Sequence, residues 1–312
     1  MRNLTRPDIV PPTLTSAAEK GYAISSGHWR NPDVRGLLRA VQGQSCAYCQ
    51  SAMEGRGTPG TVDHFRPSSK YEWLAYRIDN LLLACNDCNS RIKNSDFPID
   101  QSGAKAESDD DLPTEPRLLL DPVADPIDQL LDIDYIDERF SFRNLVADQD
   151  SIDFRRVRKT IEVLRFAKGA DPTYQKLRIR ALGAIVKKLD RHKSIKLSAD
   201  QCAEVKLSAC RWQPFGEMVQ RLIRFHLPET DVIELCPTAE EECLWLIDDL
   251  ATMFEEAPTT DDAERQRMEA RWCLAALFLA PPNGINETVV RDRLNDLGLQ
   301  SEIEAVAAQF AK

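Results

Sequence analysis

The sequence lacks the long apolar runs that membrane proteins and secreted precursors carry. A bilayer span needs about 20 consecutive apolar residues, and the longest apolar patch, residues 272–281, is about half that length. Residues 1–7 show no apolar stretch behind their charges, so we expect no secretory signal and no membrane contact. With nine cysteines and no export signal, a reducing cytoplasm is expected, where paired cysteines bind metal rather than form disulfides.

Net positive charge, which is typical of nucleic-acid-binding proteins, is also absent, since the formal net charge is −10. The charges are nevertheless segregated: residues 151–227 contain 18 Lys+Arg against 7 Asp+Glu, and residues 228–312 contain 6 against 19. Segregation matters more than the total for attracting a polyanion. Two interpretations stay open for the basic segment, which begins with a cluster at residues 155–159. It faces an anionic partner, or it pairs with the acidic segments of this chain.

Two C-x-x-C pairs stand in the N-terminal third. Cys46 and Cys49 form one pair, and Cys85 and Cys88 form the second after an interval of 35 residues. Thiolates spaced in this way can occupy the four corners of a tetrahedron, the geometry of a closed structural zinc site. The other five cysteines show no such spacing and are expected to be buried free thiols. We therefore predict that the first four bind a structural zinc ion.

The interval between the pairs contains polar residues that a purely structural zinc module does not need. His64, one of only four histidines, is the candidate general base, because a neutral imidazole can take a proton from water near pH 7. Asp63 and Asn89 offer hard oxygen ligands for catalytic Mg²⁺ or Mn²⁺, and Mg²⁺ often takes only one or two protein ligands. Asn80 is expected to orient the His64 ring through its carbonyl.

Two cations close to these residues are candidate substrate contacts. Lys93 follows Asn89 by four residues, so a helix would place both on one face, where Lys93 could hold a phosphate. A solvated helix lysine is the alternative. Arg66 could contact substrate, or it could pack its aliphatic stem against Trp73.

In this order, the cysteine pairs, Asp63, His64, Asn80 and Asn89 resemble the HNH (ββα-metal) endonucleases that are built on zinc knuckles. The resemblance covers residues 46–93. One departure is that Asn89 occupies the position of the last histidine of the motif. Many relatives also carry asparagine at this position. The resemblance implies one metal ion between Asp63 and Asn89, His64 as base with Asn80 orienting it, and products with 5′-phosphate and 3′-hydroxyl ends.

A narrower resemblance extends over the flanks. The proline-containing N-terminal arm, the tetrapeptide at residues 64–67 and the Leu-Leu-Leu-Asp-Pro segment at residues 118–122 are similar to the HNH subunit of Septu-type bacterial anti-phage systems. The resemblance to these PtuB-like subunits implies that this chain is a nuclease that cuts DNA together with an ABC/SMC-type ATPase subunit. Two alternatives stay open: a catalytically silent zinc module that binds nucleic acid or protein, and a stand-alone restriction-type nuclease.

The periodicity of apolar residues predicts an α+β fold that is mostly α. We expect an N-terminal arm and helix over residues 1–40, the zinc-stapled HNH module over 41–125, a hairpin or connector over 126–150, and a helical domain over 151–312 for partner docking or substrate positioning.

Individual elements follow from the same patterns. Prolines favour an extended arm over the first 30 residues. A short strand is expected at 61–65, a helix at 33–44, and a hairpin at 133–142 around residues 137–138. Beyond residue 150 the 3.6-residue period predicts helices over 151–168, 172–194, 199–227, 238–257, 260–280 and 286–311.

Overall fold

The computed structural model describes residues 1, 4–21, 26–53, 60–136, 139–166, 172–213, 215–255, 260–282 and 284–310. The strands are β1 (Thr61–His64), β2 (Leu81–Ala84), β3 (Leu131–Ile136) and β4 (Arg139–Asn144). The α-helices are α1 (Pro12–Glu19), α2 (Ser26–Trp29), α3 (Pro32–Gln42), α4 (Ile127–Leu130), α5 (Ile152–Val163), α6 (Pro172–His192), α7 (Ala199–Ser208), α8 (Gly216–His226), α9 (Glu229–Leu235), α10 (Ala239–Glu255), α11 (Asp261–Leu279), α12 (Glu287–Asp296) and α13 (Gln300–Ala307). Among the described residues, no helix is long and apolar enough to cross a membrane.

The N-terminal module is built on an antiparallel strand pair and a π-helix. Strand β1 pairs with β2 so that His64 lies opposite Leu81. Strand β2 is buried along its whole length, and the π-helix Asp87–Lys93 follows it closely. The wide turn is closed by the Asn94 amide, which donates to the Asn89 carbonyl at 2.7 Å. π-Helical turns are rare and frequently occur at functional sites. The predicted class, mostly helical with small two-stranded sheets, is confirmed.

Helix α3 is buried between the module and the C-terminal helices. Every residue from 33 to 42 is buried. The Gln42 side chain donates to the Leu83 carbonyl of β2 at 2.7 Å and accepts from the Leu83 amide at 3.1 Å. Two turns earlier in the helix, Arg35 pairs with buried Glu269 of α11. Helix α3 therefore holds the module and the helical region together, and the predicted boundary between residues 40 and 41 falls inside this helix.

Prolines caused two errors in the predicted element boundaries. The first 30 residues are not a continuous extended arm, because they contain α1 and α2. Pro12 occupies the first turn of α1, where its missing amide hydrogen costs no helical bond. Likewise, Pro228 directly follows the helix predicted over 199–227 and breaks that pattern, but it is the N-cap of α9, a helix that the periodicity did not predict.

Two predicted long helices are broken. The one expected over 199–227 ends with α7 and restarts with α8 at Gly216. A β-carbon on Gly216 would lie 1.9 Å from the Cys210 carbonyl oxygen, so only glycine permits this close return of the chain. The helix expected over 286–311 is interrupted at Gly298, which adopts a φ of 69°. The predicted hairpin is present as β3 and β4, and its turn at 137–138 lies outside the described residues.

Basic residues of the 151–227 segment pair with acidic residues of this chain. The exposure of these pairs varies, from a half-exposed Arg155 to the largely buried pair of Arg156 and Asp125, and together they account for the segregated charges. The structure favours the internal-pairing interpretation over a free basic face. The pairs that show it are Arg155–Asp100 (3.1 Å), Arg156–Asp125 (2.5 Å), Lys206–Glu241 (2.7 Å) and Arg211–Glu242 (2.8 Å).

Candidate metal and catalytic site

The four predicted zinc ligands converge. The sulfur atoms of Cys46, Cys49, Cys85 and Cys88 all lie within 4.8 Å of one another. The Cys49 and Cys85 sulfurs are 3.7 Å apart. A tetrahedral zinc ion with Zn–S bonds of about 2.3 Å separates its sulfurs by about 3.8 Å. The donor set therefore fits zinc in number, chemistry and spacing.

Local backbone geometry forms the first knuckle. The Cys46 amide donates to the Ser51 carbonyl at 2.9 Å, and the Gln50 amide donates back to the Cys46 carbonyl at 3.0 Å. Gln50 takes a φ of 60° to close this turn. Burial raises the pKa of the Cys46 thiol well above its usual value. Hydrogen bonds from the neighbouring thiols, Cys46 first, lower the pKa of Cys49 instead. A bound zinc ion would hold all four sulfurs as thiolates.

Lys93 is a buried partner of Asp63 and not a surface phosphate contact. Its side chain is fully buried, and Nζ lies 3.0 and 3.2 Å from the two Asp63 carboxylate oxygens. Nζ also donates to the His64 carbonyl at 2.9 Å, and the Tyr48 hydroxyl donates to Asp63. Lys93 and Asn89 do share one helix face, but β1 covers it. The expected phosphate contact and the solvated-lysine alternative are both wrong.

His64 is largely buried, with 9% of the residue exposed. Its Nε2 lies 3.0 Å from the Ala75 carbonyl oxygen. Because a carbonyl can only accept, a neutral ring must carry its proton on Nε2, which leaves the lone pair on Nδ1. The Trp29 ring packs edge-on against the imidazole with centroids 4.7 Å apart. Burial lowers the pKa of His64 below its usual value, so the ring is neutral near pH 7.

Asn80 positions the backbone around His64 instead of the ring itself. Its Oδ1 accepts from the Arg66 amide at 2.8 Å, and its Nδ2 donates to the carbonyls of Arg66 (3.0 Å) and Leu74 (3.3 Å). The predicted direct bond to the ring is wrong, since Ala75 makes it. By fixing Leu74, Asn80 holds the segment that presents the Ala75 carbonyl.

Arg66 belongs to a buried ion pair. Its Nε donates to Glu115 at 2.7 Å, and Glu115 also accepts from the Tyr71 hydroxyl at 2.7 Å and the Ala106 amide at 2.9 Å. The guanidinium is thus committed to Glu115, which argues against the predicted substrate contact, whereas packing of the Arg66 stem on Trp73 stays a prediction. The spacing held no signal for this pair, because Glu115 lies 49 residues away along the chain.

Asp63, His64 and Asn89 line one solvent-open cavity of about 170 Å³. The Asn89 amide nitrogen donates to Thr61 Oγ1 at 3.0 Å and to the Val62 carbonyl at 3.3 Å. These bonds fix the side chain beside β1. Carboxylate and amide oxygens are the ligand types that Mg²⁺ or Mn²⁺ takes; the Asp63 oxygens also accept hydrogen bonds from Lys93 and Tyr48.

Comparison with known proteins agrees with this arrangement. Residues 46–95 match the family model described as HNH endonuclease. We refer to this matched segment as the HNH module. The predicted resemblance to that family is confirmed.

Two curated proteins are similar to part of the chain. Over 110 residues it is 29% identical to Septu protein PtuB of Bacillus mycoides (strain KBAB4), which covers 31% of this chain and 37% of PtuB. Over 103 residues it is 31% identical to Septu protein PtuA of the same strain, which covers 28% of this chain and 14% of PtuA. The chain thus spans well under half the length of either relative. No solved structure matches it.

A larger cleft of about 480 Å³, which no sequence pattern predicts, lies beside the cavity of Asp63, His64 and Asn89, called the HNH cavity below. The two spaces share Val62 and Asn89. Trp29 and the exposed Arg30 line the cleft and come from the end of α2. These residues lie before Cys46, where the HNH motif begins, and neither belongs to a recognisable pattern. Only the fold reveals them.

We expect Cys85→Ser to release zinc and unfold residues 46–93, because zinc binding supplies about 10–16 kcal/mol in small zinc domains. Metal content by mass spectrometry and hydrogen exchange over that segment measure both effects. The matched control is Cys202→Ser, at another half-buried cysteine, which should keep its zinc. Active protein without zinc would contradict the assignment.

We expect Lys93→Met to destabilise the HNH module by about 3–5 kcal/mol, since it leaves the Asp63 carboxylate buried without its cation. Arg91→Gln on the same helix, where the side chain is 76% exposed, should change stability by no more than about 0.5 kcal/mol. Urea unfolding measures the difference. Equal effects of the two changes would show that Asp63 does not depend on Lys93.

Proposed function

We propose that this chain is a metal-dependent HNH endonuclease that hydrolyses phosphodiester bonds of DNA as the nuclease of a bacterial anti-phage system. The observation that carries the proposal is the meeting of Asp63, His64 and Asn89 on one open cavity. A hydrolytic nuclease needs a base for water, a cation at the phosphate and a fixed line of attack. His64 supplies the base, and Asp63 and Asn89 can hold the cation.

His64 acts as the general base through Nδ1. Its Nε2 is held by the Ala75 carbonyl and its ring is supported by Trp29. The ring can therefore accept a proton without turning away from the cavity. Its low pKa, caused by burial, keeps the acceptor form available at neutral pH.

Asp63 and Asn89 are the residues that would hold Mg²⁺ or Mn²⁺. When bound, such an ion neutralises charge that develops on the phosphate oxygens. Lys93 balances the buried charge of Asp63 from the protein side. Tyr48 and Lys93 also fix the direction of the carboxylate, because both donate to it. These hydrogen bonds position the Asp63 carboxylate, so Lys93 is a positioning residue.

The cleft beside the HNH cavity is the proposed path of the nucleic acid. Arg30, Arg35 and Arg265 line it. Arg35 pairs with Glu269, and Arg265 pairs with Asp262. Arg30 is exposed, so it is the cation best placed to contact phosphates next to the bond that is cut.

A partner that delivers DNA fits the charge of this chain. The formal net charge is −10, and basic residues of the 151–227 segment are engaged with acids. Such a surface gives little of the sequence-independent attraction to DNA that phosphate contacts provide. Together with the similarity to PtuB and PtuA, this supports a nuclease that works with an ABC/SMC-type ATPase subunit over a stand-alone restriction-type enzyme.

The decisive variant is His64→Ala. We expect cleavage in Mg²⁺, assayed with the cognate ATPase, to fall by about 10²–10⁴-fold. Zinc content should stay unchanged, and His226→Ala in the helical region should cut normally. Because His64 packs against Trp29, His64→Gln serves as a variant that retains more volume. Cleavage at the parental rate by both His64 variants would contradict the mechanism, and a wild-type complex that never cuts would favour the silent zinc module.

We expect Arg30→Gln to weaken DNA binding to a similar degree for all sequences. Removing one phosphate contact should reduce the slope of log K against log salt by about 0.7–0.9. Arg143→Gln, at an exposed arginine of β4, should leave that slope unchanged. Titrations of the complex with labelled DNA at several salt concentrations measure it. An unchanged slope in Arg30→Gln would place the nucleic acid elsewhere.

A further inference from the structure

A second cavity, of about 260 Å³, lies between the N-terminal segment, α3 and the end of α11. Its walls are largely aliphatic and aromatic, with Val41, Trp212 and Leu277 among them. Two arginines, Arg6 and Arg211, also line it. None of these residues lines the HNH cavity or the cleft beside it.

The guanidinium of Arg6 is only partly used by the protein. Its Nη2 donates to the Leu81 carbonyl. Its Nε and Nη1 are buried, and among the described residues neither has a hydrogen-bond partner. A buried donor without a partner costs about 1–3 kcal/mol, and more when it is charged. Arg6 lines the cavity, while its two unsatisfied donors lie in the wall without accessible surface of their own, so a ligand reaches them only when the side chain shifts.

Arg6 remains charged in this setting. Burial lowers its pKa to about 10, although Asp121 and Asp79 oppose the shift. At neutral pH the cavity wall thus carries a desolvated positive charge. Arg211 adds to the positive potential at the same cavity, even though its Nε pairs with Glu242 at 2.8 Å.

We propose that this cavity binds a small organic anion. A small shift of the Arg6 side chain turns Nε and Nη1 toward the cavity, where the carboxylate or phosphate group of the ligand accepts hydrogen bonds from them, and the apolar body of the ligand packs against Trp212 and Leu277. The volume suits a molecule built around a single ring, since drug-sized ligands occupy about 300–1,000 Å³. Charge and shape together exclude a neutral ligand of the same size.

The position of Arg6 links this site to the HNH module. Leu81, which accepts from Arg6, lies directly opposite His64 in the β1–β2 register. A ligand that engages Arg6 therefore acts on the strand that pairs with the catalytic one. The binding proposal itself does not depend on the nuclease assignment.

Isothermal titration of the full chain tests the proposal with three probes: benzoate, phenyl phosphate and the neutral benzyl alcohol. We expect at least one anion to bind, and the two anions together distinguish a carboxylate from a phosphate ligand. Benzyl alcohol should bind at least 10-fold more weakly. Arg6→Gln should reduce anion affinity by about 10- to 100-fold, the usual worth of hydrogen bonds to a charged group.

Two further variants, one that fills the cavity and one control, make the test independent of how Arg6→Gln folds. Ala280→Phe places a ring in the cavity while keeping Arg6, so it should also abolish binding even if Arg6→Gln folds poorly. Arg143→Gln removes an exposed arginine elsewhere and should bind as the parent does. Failure of both anions to bind the parent at millimolar concentration overturns the proposal. Equal binding of the neutral probe, or undiminished anion binding in Ala280→Phe, overturns it as well.

Discussion

The convergence of four cysteine sulfurs is the constraint on which the HNH module depends. A pair of four-residue strands such as β1 and β2 has too little buried surface to be stable alone. Zinc binding to the four cysteines fixes the knuckle after α3 to the end of β2 and the start of the π-helix. His64 on β1 and Asn89 on the π-helix are thereby brought to one cavity, although 24 residues separate them in sequence.

The second constraint is electrostatic. A carboxylate that is to hold a cation has to be aimed, and Asp63 is 3% exposed. Lys93 and Tyr48 fix its direction by donating hydrogen bonds to it. The same logic applies at Arg66, whose charge is balanced by buried Glu115. Lys93 and Arg66, which the sequence suggests as substrate contacts, therefore form ion pairs that support the site. Arg30, which lies outside the motif, is an exposed cation that lines the neighbouring cleft.

Local spacing was sufficient to predict the cysteine cluster and the strand that carries Asp63 and His64, because both arise within short segments. It was also sufficient to place Asn89 and Lys93 on one helix face. It could not show that β1 covers this face, since that depends on tertiary packing. The partner of Arg66 and the bond from His64 to Ala75 escaped prediction for the same reason. Pro12 and Pro228 misled the assignment because a proline is compatible with a helix start as well as with a break.

We propose that this module holds two chemically distinct metals, a zinc ion in the cysteine cluster and a hard divalent cation between Asp63 and Asn89. Titration of Mn²⁺ followed by electron paramagnetic resonance, with zinc content measured in the same samples, tests it most directly. We expect one Mn²⁺ site in the parent and its loss in Asn89→Ala, with zinc retained in both. No bound Mn²⁺ in the parent, or an unchanged site in Asn89→Ala, would contradict the claim.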